Sequence, residues 1–350
     1  MTVGDLKPSD AVLDYAREPR ATWRNTARIL NSLGPVFGLI FVIAFFTFER
    51  YNTFLTWGNF QIILIHTAVV ATAALGMTVV IVSGGIDLSV GAAIALCTVC
   101  IANLIVAGYP PFIAAAGGVL SCVCVGLIIG TAVTTLDLSP FIVTLGLWGA
   151  VRGFAKWCSG DTNVNPPSRM TTTWLFHILN TLRDDQTWMI FPIGVWIMFG
   201  LTIVVGLILR YTRFGRHVFA IGSNEQTARL CGVRVEWGKV MIYLFAGLFT
   251  GIAGVLEFSH LRIGDPTTAD GLELNVIAAV VIGGASLTGG QGGVAGTIVG
   301  AMLMTVVQNG CTKMNMATSI QQIVTGLIIV FAAILDSVRH GRIRFLRRST

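Results

Sequence analysis

Charge is what this chain of 350 residues has least of. Charged side chains make up 11% of it, against roughly 25% in a soluble globular domain, so a water-facing surface cannot be built from this inventory. Nucleotide-binding signatures are missing too. No Gly-x-x-x-x-Gly-Lys-Ser/Thr pattern occurs, and the nearest Gly-Lys pair, Gly238-Lys239, is followed by Val240. A phosphate-cradling loop needs the lysine and the following hydroxyl for phosphate and Mg²⁺, so no NTP site is expected in this chain. The five histidines, His66, His177, His217, His260 and His340, are dispersed, with no His-Glu-x-x-His cluster, which removes the usual hydrolytic metal centre. Cys97 and Cys100 form C-x-x-C inside an apolar run, without a second pair or a nearby His. They read as packing residues rather than a metal or redox site. No catalytic residue and no metal ligand is expected. Cys158 and Cys311 fall on the same outer side in the topology below, which leaves a disulfide open between them without a further signal for one.

Apolar residues and glycine fill the space that charge vacates. Hydrophobic residues reach 54% and the mean hydropathy is +0.77, so the bilayer is the solvent. A crossing helix needs about 20 apolar residues, and ten apolar runs can be marked: 29–48, 60–82, 88–107, 112–133, 140–157, 188–209, 240–258, 274–287, 292–310 and 320–338. The eighth is short and reads as a half-crossing, tolerated only inside protein or beside water. The fold class is all-α: a polytopic membrane bundle of about ten helices with at least one short or broken. Three basic clusters, at 7–28, 210–239 and 339–348, hold 16 of the 23 Lys and Arg. An even number of crossings puts all three on one side, which the positive-inside rule makes cytoplasmic. The net charge of +6 is thus a topology signal rather than a nucleic-acid footprint. The expected organisation is a cytoplasmic tail at 1–28, a transmembrane domain at 29–338 with a cytoplasmic segment at 210–239, and a basic cytoplasmic tail at 339–350. No cleavable signal peptide is expected, since the first stretch is polar and runs directly into an apolar span. The longest outer loop, 158–187, carries Asp161, Asp184, Asp185 and Pro166-Pro167. It is long enough to form a lip around an outer opening, or it simply joins two helices.

Three segments interrupt the apolar pattern. In Ser83-Gly84-Gly85-Ile86-Asp87-Leu88-Ser89-Val90-Gly91 a carboxylate sits between two membrane helices, a costly position that goes with a cavity or a partner. Asp87 and Ser89 also suit the cap of the following helix. The second, Gly283 to Gly293, has the composition of a tight turn of small residues. In the third, Ser223 or Asn224 can cap a short helix, Glu225 suits its positive end and Gly232 can end it in the left-handed conformation. That predicts about two turns bearing Ala228, Leu230 and Cys231, a docking piece for a cytoplasmic partner or a plain connection. Glycines recur at intervals of four in Gly126/Gly130, Gly247/Gly251 and Gly292/Gly296/Gly300, a spacing that lets membrane helices approach closely. Glu257, His260, Arg262, Asp265, Asp270 and Glu273 flank the outer end of the seventh run. Asn275 and the pair Gln308-Asn309 are neutral hydrogen-bonding groups at outer helix ends, suited to an uncharged hydroxylated solute or to bridging neighbouring helices.

Four stretches in order, between about residues 60 and 340, resemble the permease subunits of bacterial ABC importers for monosaccharides, the ribose/xylose/galactose-type group within the branched-chain permease superfamily. They are Val79-Val80-Ile81-Val82-Ser83-Gly84-Gly85-Ile86-Asp87-Leu88-Ser89-Val90-Gly91; Pro140-Phe141-Ile142-Val143-Thr144-Leu145-Gly146 on to Arg152-Gly153; Phe214-Gly215-Arg216 through Ala220-Ile221-Gly222-Ser223-Asn224 to Ala228 and Gly232-Val233; and Ala278-Ala279-Val280-Val281-Ile282-Gly283-Gly284-Ala285-Ser286-Leu287 with the glycines after it. The chain departs at Ile129-Gly130, where many relatives carry Asn-Gly. The resemblance implies a second permease, identical or not, a cytoplasmic ATPase that carries the ATP and Mg, and an extracytoplasmic sugar-binding protein. It implies a coupling helix using Gly215, Arg216, Ala220, Ile221, Gly222, Asn224, Ala228, Leu230 and Gly232. It implies a solute path near Gly85, Asp87, Ser89, Phe141, Thr144, Asn275, Gln308 and Asn309. An ion-coupled transporter, with Asp87 as its buried acid, and a branched-chain amino acid as solute are the competing expectations.

Overall fold

The computed structural model describes residues 20–168, 173–179 and 190–339. Among these, twelve α-helices carry nearly all of the structure: α1 (Arg20–Phe54), α2 (Trp57–Val82), α3 (Val90–Val106), α4 (Pro111–Thr135), α5 (Pro140–Ser159), α6 (Ile193–Tyr211), α7 (Arg213–Ser223), α8 (Glu225–Leu230), α9 (Val235–Leu261), α10 (Leu272–Ile282), α11 (Val294–Lys313) and α12 (Thr318–Arg339). The described residues contain no strand; Val164 and Gly264 form a single isolated bridge. Six segments are long and apolar enough to cross a membrane: Gly34–Phe54, α2, α4, α6, α9 and α11. Each apolar run marked in the sequence corresponds to a helix. The eighth is a helix of 11 residues that stops at Gly283. The tails at 1–19 and 340–350, and Asp184 and Asp185 of the outer loop, lie outside the described residues.

α2 is the axis of the bundle. From Ile63 to Val82 every residue but His66 is buried, the signature of a helix apolar all round. α6, α9, α10 and α11 pack around it. Two cross-helix hydroxyl pairs join α2 to α11: Thr67 to Thr305 at 2.6 Å and Thr78 to Thr297 at 2.8 Å. Each α2 threonine also donates to a carbonyl four residues back, at 2.7 Å.

The small-residue ridges set the closest helix approaches. Gly126 and Gly130 of α4 lie against the backbone of Tyr243 and Val240 in α9, and Gly247 and Gly251 of α9 lie against Cys122 and Val119 in α4. Gly296 of α11 rests on Gly283, which ends α10, and Gly300 rests on Ala279 of α10. The third member of that predicted ridge, Gly292, falls outside α11 and packs on Val82 and Ala285 instead. The helix starts only at Val294, because the turn before it uses left-handed glycines. All seven cysteines are free, so Cys158 and Cys311 are not paired.

Candidate functional site

A short helical layer closes one end of the bundle. Thr212 ends α6 and caps α7, its Oγ1 accepting from the Gly215 N–H at 3.2 Å. α7 buries Gly215, Val218 and Ile221 and leaves Arg213, Arg216 and His217 exposed. Asn224 then caps α8, its Oδ1 accepting from the Thr227 N–H at 2.8 Å. Gly232, at φ +84°, closes α8: its N–H donates to Arg229 O at 3.0 Å while the Val233 N–H donates to Ala228 O at 3.0 Å. The sequence marks both ends of α8 correctly but does not mark α7, an 11-residue helix whose Phe214, Val218, Ile221 periodicity is its available signal. Ala228 is buried and Leu230 is 89% exposed. Glu225 bonds Lys239 at 2.8 Å and Arg229 at 3.5 Å, and Arg229 also pairs with Glu236.

The layer touches the bundle through glycine. Gly222 packs on the Val82 carbonyl, the last of α2, and on the Gly290 amide. Gly290 in turn donates to Val82 O at 2.8 Å. At φ +75°, Gly290 is in the left-handed region and lies against Ser223, where a side chain would carry both strain and a clash. One contact point thus joins the end of α7, the end of α2 and the turn between α10 and α11.

Deeper in the bundle, α3 and α10 both begin inside protein. After Gly84 and Gly85 the chain rises past Ile86, whose carbonyl accepts from Thr144 Oγ1 at 3.2 Å. Asp87 Oδ1 accepts from the Ser89 N–H at 2.8 Å and from Ser89 Oγ at 2.7 Å, so Asp87 closes the turn into α3 while Ser89 makes no side-chain cap bond of its own. The Tyr243 hydroxyl lies against Gly85, buried and without a partner. From the far end, the segment after α9 descends along α3. Gly264 packs on Ala102 and Thr98 Oγ1 donates to Asp265 O at 3.3 Å, whereas Ala269 and Glu273 meet Gly91. The 11 helical steps from Ala102 to Gly91 correspond to about 16 Å. Arg152 of α5 holds this segment: Nη1 donates to Pro266 O at 3.2 Å and Thr268 O at 2.6 Å, and Nη2 lies 3.8 Å from Asp270. Two helix starts, each with partial positive charge, therefore face one another across Gly91 and Glu273. Around them Glu273 Oε2, Asn275 Oδ1 and Tyr243 Oη are buried and unpartnered.

Of the residues expected along a path, Gly85, Asp87, Ser89 and Thr144 are brought together, and Asn275 lies in the first turn of α10. Phe141 is 48% exposed at the start of α5. Gln308 and Asn309 stand apart, beside Gly310, which packs on Phe46 of α1. Tyr243 is the addition that the sequence pattern does not single out, whereas Arg152 and Glu273 are marked there without a place in the path. Far apart in sequence, His66 and His260 meet edge-to-face at 5.0 Å, one turn from Glu257, which accepts from Thr268 Oγ1 at 3.1 Å. Among the described residues, no group of three or more His, Cys, Asp or Glu is placed to hold a metal ion.

Residues 59–333 match the family described as branched-chain amino acid transport system / permease component. The chain belongs to that family. The permease is 34% identical to a ribose import permease of Bacillus subtilis over 308 residues, covering 88% of this chain and 93% of the relative. It is 33% identical to an L-arabinose ABC transporter permease of Azospirillum brasilense over 339 residues, covering 97% and 96%. It is 32% identical to a D-allose transport system permease of Escherichia coli, covering 89% and 93%. No solved structure matches it. Family and apolar helices together make the permease a multi-pass protein of the bacterial inner membrane.

Proposed function

We propose that this permease forms the membrane pathway of an ATP-binding-cassette importer for a monosaccharide. The names of its relatives, for ribose, L-arabinose and D-allose, support a sugar over a branched-chain amino acid as the solute. In this reading α1–α6 and α9–α12 make ten crossings, and both termini share the cytoplasmic side with α7 and α8. A cytoplasmic ATPase holding ATP and Mg grips α8, a second permease completes the pathway, and an extracytoplasmic binding protein delivers the sugar.

The observation that carries the reading is the Gly222 junction. A layer that ends one face of the bundle is joined backbone to backbone to the two breaks, 83–89 and 283–293, that precede and follow the half-buried helices. Motion imposed on α7–α8 reaches Val82 and Gly290 without passing through flexible side chains. The ATP and ADP states of the partner then bias two arrangements of the pathway by binding them unequally. No covalent step falls to this chain; Asp87, Ser89, Tyr243 and Asn275 offer hydrogen bonds to a hydroxylated solute.

The test is uptake in proteoliposomes containing the permease, its ATPase and the binding protein. Sugar accumulation is expected to require ATP inside the vesicle and to survive dissipation of ion gradients by ionophores. Uptake that proceeds without the ATPase, or that stops with the gradient while ATP remains, overturns it.

A further inference from the structure

Between α7 and the first two turns of α9 lies a cavity of about 390 Å³ whose wall is formed by Phe214, Ile221, Trp237 and Met241, with His217 and Arg234 at its edge. Neither Arg234 nor His217 has an acidic partner among the described residues. Charge on the neighbouring face of the same layer is fully matched: Glu225, Arg229, Glu236 and Lys239 bond one another. The contrast is local, since Arg234 and Glu236 are two residues apart. Trp237 and Met241 are one helical turn apart and both exposed, at 61% and 43%, so the apolar wall continues outward along α9. α9 is long and apolar enough to span a membrane, and in the topology proposed above its first turns meet the cytoplasmic interface. A tryptophan at that level is an interfacial anchor, and basic pockets between helices at such a level take anionic lipid headgroups.

We propose that this cavity binds an anionic glycerophospholipid, with its phosphate between Arg234 and His217 and an acyl chain along Phe214, Trp237 and Met241. A protein partner fits less well, because the wall runs into the lipid-facing side of α9 rather than toward exposed Leu230. Bound there, the lipid ties the membrane surface to α7, the helix that carries Gly222. The inference does not depend on which solute is transported.

The test uses the permease–ATPase complex in nanodiscs containing equal fractions of dibrominated phosphatidylglycerol or dibrominated phosphatidylcholine. The contribution of Trp237 is the difference in fluorescence between the parent and Trp237→Phe. Quenching of Trp237 is expected to favour the phosphatidylglycerol by about fivefold, the factor one basic side chain supplies at such a surface. Arg234→Gln is expected to equalise the two lipids and Arg234→Lys to keep the preference. Arg234 is exposed and makes no side-chain cap bond to α9, so both variants leave the helix start intact, checked by gel filtration. Free inorganic phosphate cannot quench, so a phosphate site without lipid gives no signal. Equal quenching by both lipids, a preference that survives Arg234→Gln, or no quenching by either because the ATPase covers the cavity would each refute the proposal.

Discussion

Gly222 and Val82 meet backbone to backbone: the Cα of the glycine, in the last turn of α7, rests on the final carbonyl of α2. That carbonyl has no helical partner and instead accepts from the Gly290 amide at 2.8 Å. A stray hydrogen-bonding group at a helix end, which must be satisfied somehow, is thereby satisfied by the same turn that packs on α7.

Gly222→Ala tests the joint. Alanine raises helix propensity by about 1 kcal/mol over glycine, so a solvent-facing glycine in α7 would gain from the change. Here the added Cβ overlaps the Val82 carbonyl and crowds the Gly290 amide at 2.6 Å, and neither is the end of a flexible side chain. Overpacking of this kind costs roughly 1–3 kcal/mol, which at the least cancels the propensity gain. Uptake is expected to fall by about tenfold or more, with solute-stimulated ATP hydrolysis reduced alongside. Gly146→Ala, where nothing lies within 4 Å, is the control and should transport normally.

Arg152→Gln should unfold the outer approach to α10. The guanidinium satisfies the Pro266 and Thr268 carbonyls together, and its loss leaves the buried Pro266 acceptor unpaired at about 1–3 kcal/mol, with a smaller cost at half-buried Thr268. A drop in thermal midpoint in detergent is expected. Arg152→Lys should recover only part of it, because a single ammonium lacks the fork geometry. A midpoint unchanged in both variants would remove Arg152 from the account of how α10 is held.

Tyr243→Phe separates fold from solute contact. The hydroxyl is buried without a partner, so its removal should leave the thermal midpoint unchanged or raise it. A neutral hydrogen bond to solute is worth about 0.5–1.5 kcal/mol, so the apparent KM of uptake should rise roughly 2- to 13-fold. An unchanged KM would place this hydroxyl off the path.

The hydroxyl pair Thr78–Thr297, at 2.8 Å, lends itself to a double-mutant cycle with valine at both positions. The coupling energy expected between membrane helices is about 0.6 kcal/mol. Thr78 donates its one proton to its own helix backbone at 2.7 Å, so Thr297 supplies the proton across the pair in competition with its longer bond to Gly293 O, which limits what the pair itself can contribute.

Local chemistry was legible and convergence was not. Asn224 and Gly232 announce the ends of α8 because capping involves residues three to five apart, and the glycine pairs of α4 and α9 announce close packing because helical spacing is local. Glu273 and Gly91 are separated by 182 positions in the chain and meet only because α3 and α10 both start inside the bundle. Nothing in either neighbourhood encodes that meeting. Asp87 illustrates the middle case: its role in closing the turn into α3 could be read from Ser89 two residues on, whereas its proximity to Tyr243 could not. Phe141 is a further case: one turn from buried Thr144, it faces the surface of the single chain, an orientation that its own neighbourhood in the sequence does not encode.

Leu230 offers the sharpest separation between stability and coupling. It is 89% exposed at the end of a six-residue helix whose Ala228 is buried, so Leu230→Ala removes no contact that holds the permease together. Its thermal midpoint should not change. If the ATPase covers α8, burial of this side chain contributes about 1.5–3 kcal/mol to the assembly, and truncation should weaken ATPase binding by roughly 10- to 100-fold. Leu230→Asp should weaken it further, because a carboxylate would be carried into an apolar groove. Ala228→Leu acts on the other side of the helix. It should lower the thermal midpoint and impair coupling together, since the added bulk lifts α8 off the bundle. Binding measured by surface plasmon resonance on detergent-solubilised permease decides the matter: equal affinity for the parent and Leu230→Asp would mean that the ATPase grips somewhere other than α8.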